Sequence, residues 1–305
     1  MSLALLFPGQ GVQHAGMLPW LEAEPLATPV LAAMAATLGP DWRAQLGDDA
    51  WAGRNLVAQT LITGVSLAAW SALAPHLPPP VVVAGYSVGE LAAYGAAGVF
   101  PSLGALALAR QRATAMDRCA IGAAQGLMAV SGASASSVES LCSRYGLTIA
   151  IRIGIERCLL GGTLDALHSA AQTLASRGVE TTFPRVGLAS HTPLMAPAAR
   201  AFARFVDSQS WQRGASLIVN GVDGVGRRAV EPLKQALTDQ IDHTVQWDRC
   251  METVAERHPR CVLEVGPGTS LTRMWASNGQ AIPARSVDEF RSAAAVVEWV
   301  RSALA

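Results

Sequence analysis

The chain has 305 residues, of which 50% are hydrophobic, and its 23 basic and 23 acidic side chains give a formal net charge of zero. A chain of this length can bury a large core, and we expect one large domain or one with a smaller domain inserted. Because the charges balance, no overall field draws the protein to nucleic acid or to an anionic membrane, and we predict neither as a partner.

The cysteines and the N-terminal segment indicate the compartment. The five cysteines are scattered without a CxxC pair or metal-ligand spacing. We therefore expect reduced thiols, no metal site, no tightly bound cofactor and a cytoplasmic location. No basic segment precedes an apolar run at the N-terminus, so no signal peptide is predicted. Residues 56–77 and 91–109 are uncharged, but polar residues or Gly and Pro interrupt them, which favours buried helices over membrane spans.

The first predicted element is a strand at residues 3–7, which ends in the tight turn Pro8-Gly9-Gln10-Gly11. Such a turn presents backbone to a site, and we interpret Gln10 and its neighbours as a wall for a developing oxyanion. A simple turn is the alternative. Residues 25–38 and 56–73 are predicted to be helices. Gln59 on the second, largely apolar helix is either a satisfied core amide or a site-facing residue.

Residues 80–93 predict a strand, a sharp turn and a helix. Three consecutive valines at 81–83 suit a buried parallel strand, and Gly85 and Gly89 remove Cβ atoms where the chain reverses around Ser87. This arrangement is typical of a nucleophile elbow. The GxSxG string also occurs in ordinary Gly-rich turns, but the flanking strand and helix favour catalysis.

Residues 102–118 predict a further helix, which carries Arg110, Arg112 and Arg118. Shorter segments follow: a strand at 127–130, a helix at 134–145, strands at 147–153 and 157–160, a helix at 163–177 and a strand at 179–183. This βαββαβ order is the ferredoxin-like pattern. It predicts a small domain of residues 126–188, inserted into a large catalytic domain of residues 1–125 and 189–305.

Beyond residue 188 we predict helices at 193–208, 231–240 and 246–257, and strands at 216–219 and 261–265. Strands that alternate with helices indicate a parallel sheet covered on both faces. The predicted fold class is therefore α/β, with a parallel sheet in the large domain.

A serine nucleophile needs a base, and His191 is the strongest candidate. It stands where the chain re-enters the large domain and begins a helix, a position that can face the elbow. A helix-start histidine without chemistry is the alternative. His14 and His243 are weaker candidates, and His76 and His258 look like loop histidines.

Six motifs occur in order along the chain: FPGQG at 7–11, GYSVGE at 85–90, Arg-x-x-x-Met at 112–116, ASHTPLM at 189–195, VQW at 245–247 and LEVGPG at 263–268. Together they resemble the malonyl-CoA:acyl carrier protein transacylases across nearly the whole chain. The resemblance implies an α/β-hydrolase-like large domain with a ferredoxin-like insertion.

The resemblance also implies roles for individual residues. Ser87 corresponds to the acylated nucleophile and His191 to its base, so the site would be a Ser-His dyad. Arg112 matches the arginine that pairs with the malonyl carboxylate. Gln10 and the Val88 N–H match the oxyanion hole.

Two glutamines complete the implied site. Gln246 matches the residue whose main-chain carbonyl orients the histidine ring, and a carbonyl that accepts the Nδ1–H leaves Nε2 free to take the serine proton. Gln59 matches a family glutamine close to the site.

Some departures point to one branch of this family. Tyr86 replaces the usual histidine, and residues 151–154 replace an Asn-x-Asn-type strand; residues 16–18, 283–291 and Trp299 are considered together with these two changes. These features more closely resemble the malonyl-transferase (epsilon) subunit of biotin-independent malonate decarboxylase. That branch implies transfer of malonyl from malonyl-CoA to a dephospho-CoA-type arm on a small carrier subunit, with other decarboxylase subunits as further partners.

Three alternatives remain at this stage. The enzyme of fatty-acid synthesis would transfer malonyl to the phosphopantetheine arm of acyl carrier protein. A serine hydrolase would pass the acyl group to water, although over a hundred residues follow His191 and a hydrolase histidine normally comes near the end. A non-catalytic docking subunit would not need the dyad.

Overall fold

The computed structural model describes residues 2–122 and 124–305. Over these residues the strands are β1 (Leu3–Phe7), β2 (Val82–Gly85), β3 (Gln125–Ser131), β4 (Thr148–Gly154), β5 (Arg157–Thr163), β6 (Glu180–Thr182), β7 (Leu217–Val219), β8 (Gly226–Arg227), β9 (Val245–Gln246), β10 (Cys261–Glu264) and β11 (Ala284–Ser286). The α-helices are α1 (Thr28–Leu38), α2 (Trp42–Gln45), α3 (Asp49–Ala52), α4 (Asn55–Leu73), α5 (Gly89–Ala96), α6 (Ser102–Cys119), α7 (Ala135–Tyr145), α8 (Leu164–Ala175), α9 (Ala196–Asp207), α10 (Val230–Asp239), α11 (Trp247–Ala255), α12 (Ser270–Ser277) and α13 (Ala293–Leu304).

The larger sheet has the strand order β11-β10-β1-β2-β7-β8. Its neighbours are parallel from β11 to β7, and only β8 runs antiparallel, against β7. Leu5 pairs with Val83 on one side and with Leu263 on the other. The carboxyl ends of β1, β2 and β10 therefore meet at one edge of the sheet, where open α/β sheets place their ligands.

Both faces of this sheet are buried, as the sequence predicted. Along β1, Leu3, Leu5 and Phe7 belong to one core cluster, whereas Ala4 and Leu6 belong to another. This alternation follows from the two-residue period of a strand, and burial of both sets requires cover on both faces.

Helix α4 is the central helix of the first core. The segment Asn55–His76 is long and apolar enough to cross a membrane by length and composition, but 89% of its most apolar window is buried inside the protein. Its apolar residues pack in the same cluster as Leu5 and Phe7. The prediction of a buried helix at residues 56–73 is confirmed.

A second sheet has the order β6-β3-β5-β4-β9. Its first four strands and the helices α7 and α8 follow the predicted βαββαβ order, and β3 to β6 pair antiparallel. Strand β9 was not predicted: it lies outside residues 126–188, pairs parallel with β4, and moves the start of the helix predicted at 246–257 to Trp247. A two-residue strand leaves no periodic pattern in the sequence. The division into two domains stays a prediction.

Candidate active site

Ser87 lies on a tight turn between β2 and α5, as the elbow pattern predicted. Its φ of 55° is in the left-handed region, which costs a non-glycine residue free energy and places the side chain at the apex of the turn. A Cβ on Gly85 would lie 2.1 Å from the Glu90 nitrogen, and one on Gly89 would lie 2.2 Å from the Phe7 carbonyl oxygen. The elbow therefore requires glycine at both positions because backbone approaches them closely.

Ser87 and His191 are in hydrogen-bond contact although 104 residues separate them. The distance from Ser87 Oγ to His191 Nε2 is 2.7 Å, and Nδ1 lies 2.5 Å from the main-chain oxygen of Gln240. Because a carbonyl only accepts, Nδ1 carries the proton, and Nε2 accepts from the serine hydroxyl. The ring is thus in the tautomer that a general base needs.

The prediction that Gln246 orients the histidine is wrong. Gln246 lies in β9, pairs with Arg152 of β4 and donates its main-chain N–H to the Gly221 oxygen. The orienting carbonyl belongs to Gln240, the C-cap residue of α10. The last carbonyls of a helix have no intrahelical donor, so this oxygen is available to the imidazole.

Burial keeps the His191 imidazole neutral. The side chain is 1% exposed, and burial together with the nearby positive charge of Arg112 lowers the pKa of His191 to about 3, against a smaller raising effect of the Gln240 carbonyl. Desolvation disfavours the charged ring, and a neighbouring cation disfavours it further. His191 is therefore neutral over the whole neutral range, which is the protonation state a general base needs.

Arg112 lies buried behind the dyad rather than on an exposed helix face. Its guanidinium is held by two neutral amides: Nη1 donates to Gln59 Oε1 at 2.8 Å and Nη2 donates to Gln240 Oε1 at 3.0 Å. Burial lowers the pKa of Arg112 to about 10, and the charge of Glu90 opposes that effect. Arg112 thus remains a cation at neutral pH. Gln59 is a satisfied core amide, one of the two readings that the sequence left open: it has no exposed surface, donates to Asn55 Oδ1 and reaches the site only through Arg112.

Glu90 is a buried carboxyl group that the sequence analysis did not single out. It follows the elbow on α5, has no exposed surface and accepts a hydrogen bond from the Gly221 N–H. Burial raises the pKa of Glu90 to about 7, although the Gly221 N–H, the Gln240 side chain and Arg112 each lower it. Glu90 is the last residue of the motif GYSVGE, three residues after Ser87, and this position was the sequence signal that could have identified it.

The two predicted oxyanion residues are a side chain that lines the cleft and the N-cap residue of α5. Gln10 lines the same cleft as the serine hydroxyl, and Val88 is the residue at the start of α5. Within residues 2–122 and 124–305 the Val88 N–H donates to no protein acceptor, as expected for the first N–H groups of a helix. Their role in holding an oxyanion stays a prediction.

A cleft of about 200 Å³ opens over the dyad between the two sheets. Leu127, Ile151 and Leu159 line it from the second sheet, and Leu271 and Met274 line it from α12. This wall is mainly apolar, which excludes water from a bound thioester. Arg112 is 1% exposed and is not among the residues that line this cleft.

Tyr86 occupies the position before the nucleophile and also lines the cleft. Its ring packs edge-on against Trp247, with 5.2 Å between the ring centroids. The same ring lies against Gly9, where a Cβ would approach Tyr86 Cδ1 to 2.8 Å. Tyr86 thus fixes the turn after β1 relative to the elbow.

The weaker histidine candidates lie away from Ser87. His14 contacts Asp288, and His243 contacts Asp242. Over the part of the chain that the structure describes, no group of three His, Cys, Asp or Glu side chains is placed to hold a metal ion.

A serine nucleophile paired with a neutral, oriented imidazole can form an acyl ester, and the family comparison agrees with this arrangement. The acyl transferase domain model matches residues 4–303. The chain belongs to the acyl transferase family. It is an acyltransferase.

The relatives cover the chain almost completely. The malonyl CoA-acyl carrier protein transacylase of Mycobacterium tuberculosis is 32% identical over 292 residues, which are 93% of this chain and 96% of that protein. The crystal structure of malonyl-CoA:acyl carrier protein transacylase from Xanthomonas oryzae is 29% identical, with a TM-score of 0.90 over 98% of this chain and 99% of that chain. A malonyl-transacylase in complex with a type II PKS acyl-carrier protein is 25% identical, with a TM-score of 0.90 over 98% and 99%.

Proposed function

We propose that this acyltransferase is a malonyl-CoA:acyl carrier protein transacylase. The observation that carries the proposal is the buried Arg112 guanidinium, which lies close enough to the dyad to affect the pKa of His191. Within the described residues it is hydrogen-bonded to two neutral amides and forms no salt bridge, although the charge of Glu90 acts on it at longer range. A buried cation without a directly paired anion is costly and favours a substrate that supplies one. The names of the reported relatives support the same activity.

The first half-reaction forms a malonyl ester on the enzyme. Ser87 Oγ attacks the thioester carbonyl carbon while His191 Nε2 takes the hydroxyl proton, and the resulting oxyanion is held by the Val88 N–H and the Gln10 turn. The C–S bond then breaks, and the imidazolium returns its proton to the CoA sulfur. The Gln240 carbonyl and the negative end of α10 stabilise the transient imidazolium.

The second half-reaction transfers malonyl to a carrier thiol. The thiol gives its proton to His191 Nε2, and its sulfur attacks the carbonyl carbon of malonyl-Ser87. The ester C–O bond breaks, and Ser87 Oγ recovers the proton from the imidazolium. Because CoA leaves the covalent malonyl-enzyme before the carrier thiol reacts with it, the kinetics should be ping-pong.

Arg112 would determine the acid specificity. A guanidinium has five N–H donors in a planar fork, and two of them are used here by Gln59 and Gln240. The remaining donors suit the free carboxylate of malonyl, which an acetyl group lacks. Loss of such a charged contact typically costs about 2–5 kcal/mol.

The acceptor is proposed to be an acyl carrier protein with a phosphopantetheine arm, which the complex of a related malonyl-transacylase with its carrier supports. The branch predicted from the sequence, the epsilon subunit of malonate decarboxylase, is a finer prediction. The relatives reported above support the fatty-acid-type transacylase better than that branch. A cytoplasmic location and the division into a catalytic and a ferredoxin-like inserted domain are part of the same proposal.

A transfer assay tests the proposal. The enzyme is incubated with malonyl-CoA and a holo acyl carrier protein, and the masses of the carrier and of free malonate are followed. A transacylase produces malonyl-carrier, and the apo carrier, which lacks the thiol, is the control. Release of malonate without a loaded carrier would instead identify a hydrolase. Transfer only to a carrier with a dephospho-CoA-type arm would favour the decarboxylase branch.

A further inference from the structure

Gln240 contacts three functional groups of the site at once. Its main-chain oxygen accepts from His191 Nδ1, its side-chain oxygen accepts from Arg112 Nη2 at 3.0 Å, and its side-chain nitrogen donates to the main-chain oxygen of Ser87 at 3.1 Å. The residue has no exposed surface. Its side chain therefore lies between the arginine and the nucleophile elbow, with the Glu90 carboxyl group beside it.

The amide of Gln240 links these groups in a way that only an amide can. Its oxygen faces a cation and its nitrogen faces a carbonyl, so both ends are satisfied in one orientation. Hydrogen bonds in such a chain polarise one another, and a charged donor strengthens the whole chain. The position of the Arg112 guanidinium is thus tied to the backbone of Ser87 through a single side chain.

The Gln240 amide is uncharged, and this matters as much as its hydrogen bonds. Gln59 and Gln240 hold Arg112 without neutralising it, and within the described part of the chain the guanidinium makes no salt bridge; Glu90 acts on it only at longer range. The Arg112 Nε also has no acceptor within residues 2–122 and 124–305. An internal carboxylate in place of the Gln240 amide would compete with the carboxylate of the acyl group.

We propose that the Gln240 side chain is a specificity-determining positioning residue, which fixes Arg112 relative to Ser87 and leaves its charge available for a carboxylated acyl group. The inference rests on the proposed function, because it presumes that the enzyme transfers malonyl. It concerns the side-chain amide, which is separate from the main-chain carbonyl that orients His191. A substitution at position 240 removes the side-chain amide and keeps the main-chain carbonyl.

The test compares malonyl-CoA with acetyl-CoA in the Gln240→Met and Gln240→Glu variants. Methionine is similar in length but cannot bridge Arg112 and Ser87, so malonyl kcat/KM should fall about 10- to 100-fold, the usual effect of losing a hydrogen bond to a charged group. Acetyl kcat/KM should change only a few-fold, because acetyl makes no contact with Arg112. Glutamate should reduce malonyl transfer further, since its carboxylate pairs with Arg112.

Two controls separate positioning from general damage. Gln235→Met changes an exposed glutamine on the same helix, whose side chain donates to Asp239 Oδ1, and should leave both activities unchanged. In the Arg112→Ala background, Gln240→Met should cause little further loss of malonyl transfer, because the side chain acts through Arg112. If one variant at 240 fails to fold, the other carries the same comparison.

The outcomes distinguish this inference from the proposed function. Equal losses for both acyl-CoAs, equal losses in the presence and absence of Arg112, or unchanged selectivity in folded variants at 240 would each overturn the inference. So would a wild-type enzyme that transfers malonyl without preferring it to acetyl. A wild-type enzyme that cannot transfer malonyl at all would overturn the proposed function itself.

Discussion

The positive charge of Arg112 lowers the pKa of the His191 imidazole, and the two side chains are held by the same residue, Gln240. The group proposed to recognise the acyl carboxylate is therefore electrostatically coupled to the group proposed to act as base. A bound carboxylate would offset the charge of Arg112 and raise the pKa of His191 just when the base is needed. The pH dependence of catalysis should reveal this coupling.

Protonation of His191 should not limit acyl-enzyme formation near neutral pH. Burial and the charge of Arg112 lower the pKa of His191 from 6.5 to about 3. The imidazole therefore stays neutral as pH falls from about 8 to 5, where an ordinary histidine would become protonated. In Arg112→Ala the acidic limb should move to higher pH, measured with acetyl-CoA so that carboxylate binding is not involved. Arg110→Ala, on an exposed position of the same helix, should leave the limb in place. An unmoved limb in Arg112→Ala would contradict the coupling.

Glu90 should make the stability of the protein depend on pH. Its pKa in the fold is about 7, above the ordinary 4.5, so the fold prefers the protonated form. This contribution is fully present below about pH 4.5 and is lost as pH rises through 7. One pKa unit corresponds to about 1.4 kcal/mol, so up to roughly 3 kcal/mol is involved.

Urea unfolding of the wild type and of Glu90→Gln measures this effect. The free energy of unfolding of the wild type should fall relative to the variant between about pH 4.5 and 7, because glutamine cannot ionise. Glu231→Gln replaces an exposed carboxylate at the start of α10 and is the control. Parallel pH profiles for the wild type and Glu90→Gln would show that Glu90 is protonated or screened throughout.

Glycine at the elbow should be irreplaceable for steric reasons. In Gly85→Ala the new Cβ would meet backbone atoms of Gly89 and Glu90 at 2.1 Å, and backbone cannot move aside as a side chain can. We expect a loss of about 3 kcal/mol or more in the free energy of unfolding, together with loss of acyl transfer. Gly47→Ala enters open space and is the matched control. A Gly85→Ala variant with normal stability would mean that the turn is looser than described here.

Removal of Arg112 should abolish the preference for malonyl. Arg112→Ala should lose malonyl kcat/KM by roughly 30- to 5000-fold, the equivalent of 2–5 kcal/mol. Acetyl transfer should change little or increase, because acetyl leaves the charge unpaired. Arg112→Lys should recover only part of the loss, since an ammonium lacks the planar fork. Equal losses for both acyl-CoAs in a folded variant would show that Arg112 is structural.

The elements that could be predicted from the sequence have strong local patterns. The valines of β2, the glycines around Ser87 and the length of α4 each determine local structure with little help from distant residues. The contact between Ser87 and His191 is not local, and it was predicted because both residues stand in motifs that resemble a known family. The same resemblance also suggested Arg112 and Gln59.

The remaining features depend on tertiary contacts. Two glutamines, Gln240 and Gln246, lie six residues apart, and motif matching selected the one beside Trp247. Only the packing of α10 against the His191 loop shows which of the two main-chain carbonyls accepts the hydrogen bond from His191 Nδ1. A helix was predicted to end at residue 240, and an unpaired carbonyl at its C-terminus was the signal that could have corrected the choice. The burial of Glu90 and the pairing of β9 with β4 likewise depend on residues far along the chain.

The central claim is that Ser87 carries the acyl group between CoA and carrier. Intact-protein mass spectrometry after incubation with malonyl-CoA alone, followed by peptide mapping, measures this directly. The account predicts one malonyl adduct located on Ser87 in the wild type, discharged by a holo carrier, with much slower formation in His191→Ala and none in Ser87→Ala. An adduct on another residue, or near-normal transfer by Ser87→Ala, would contradict it.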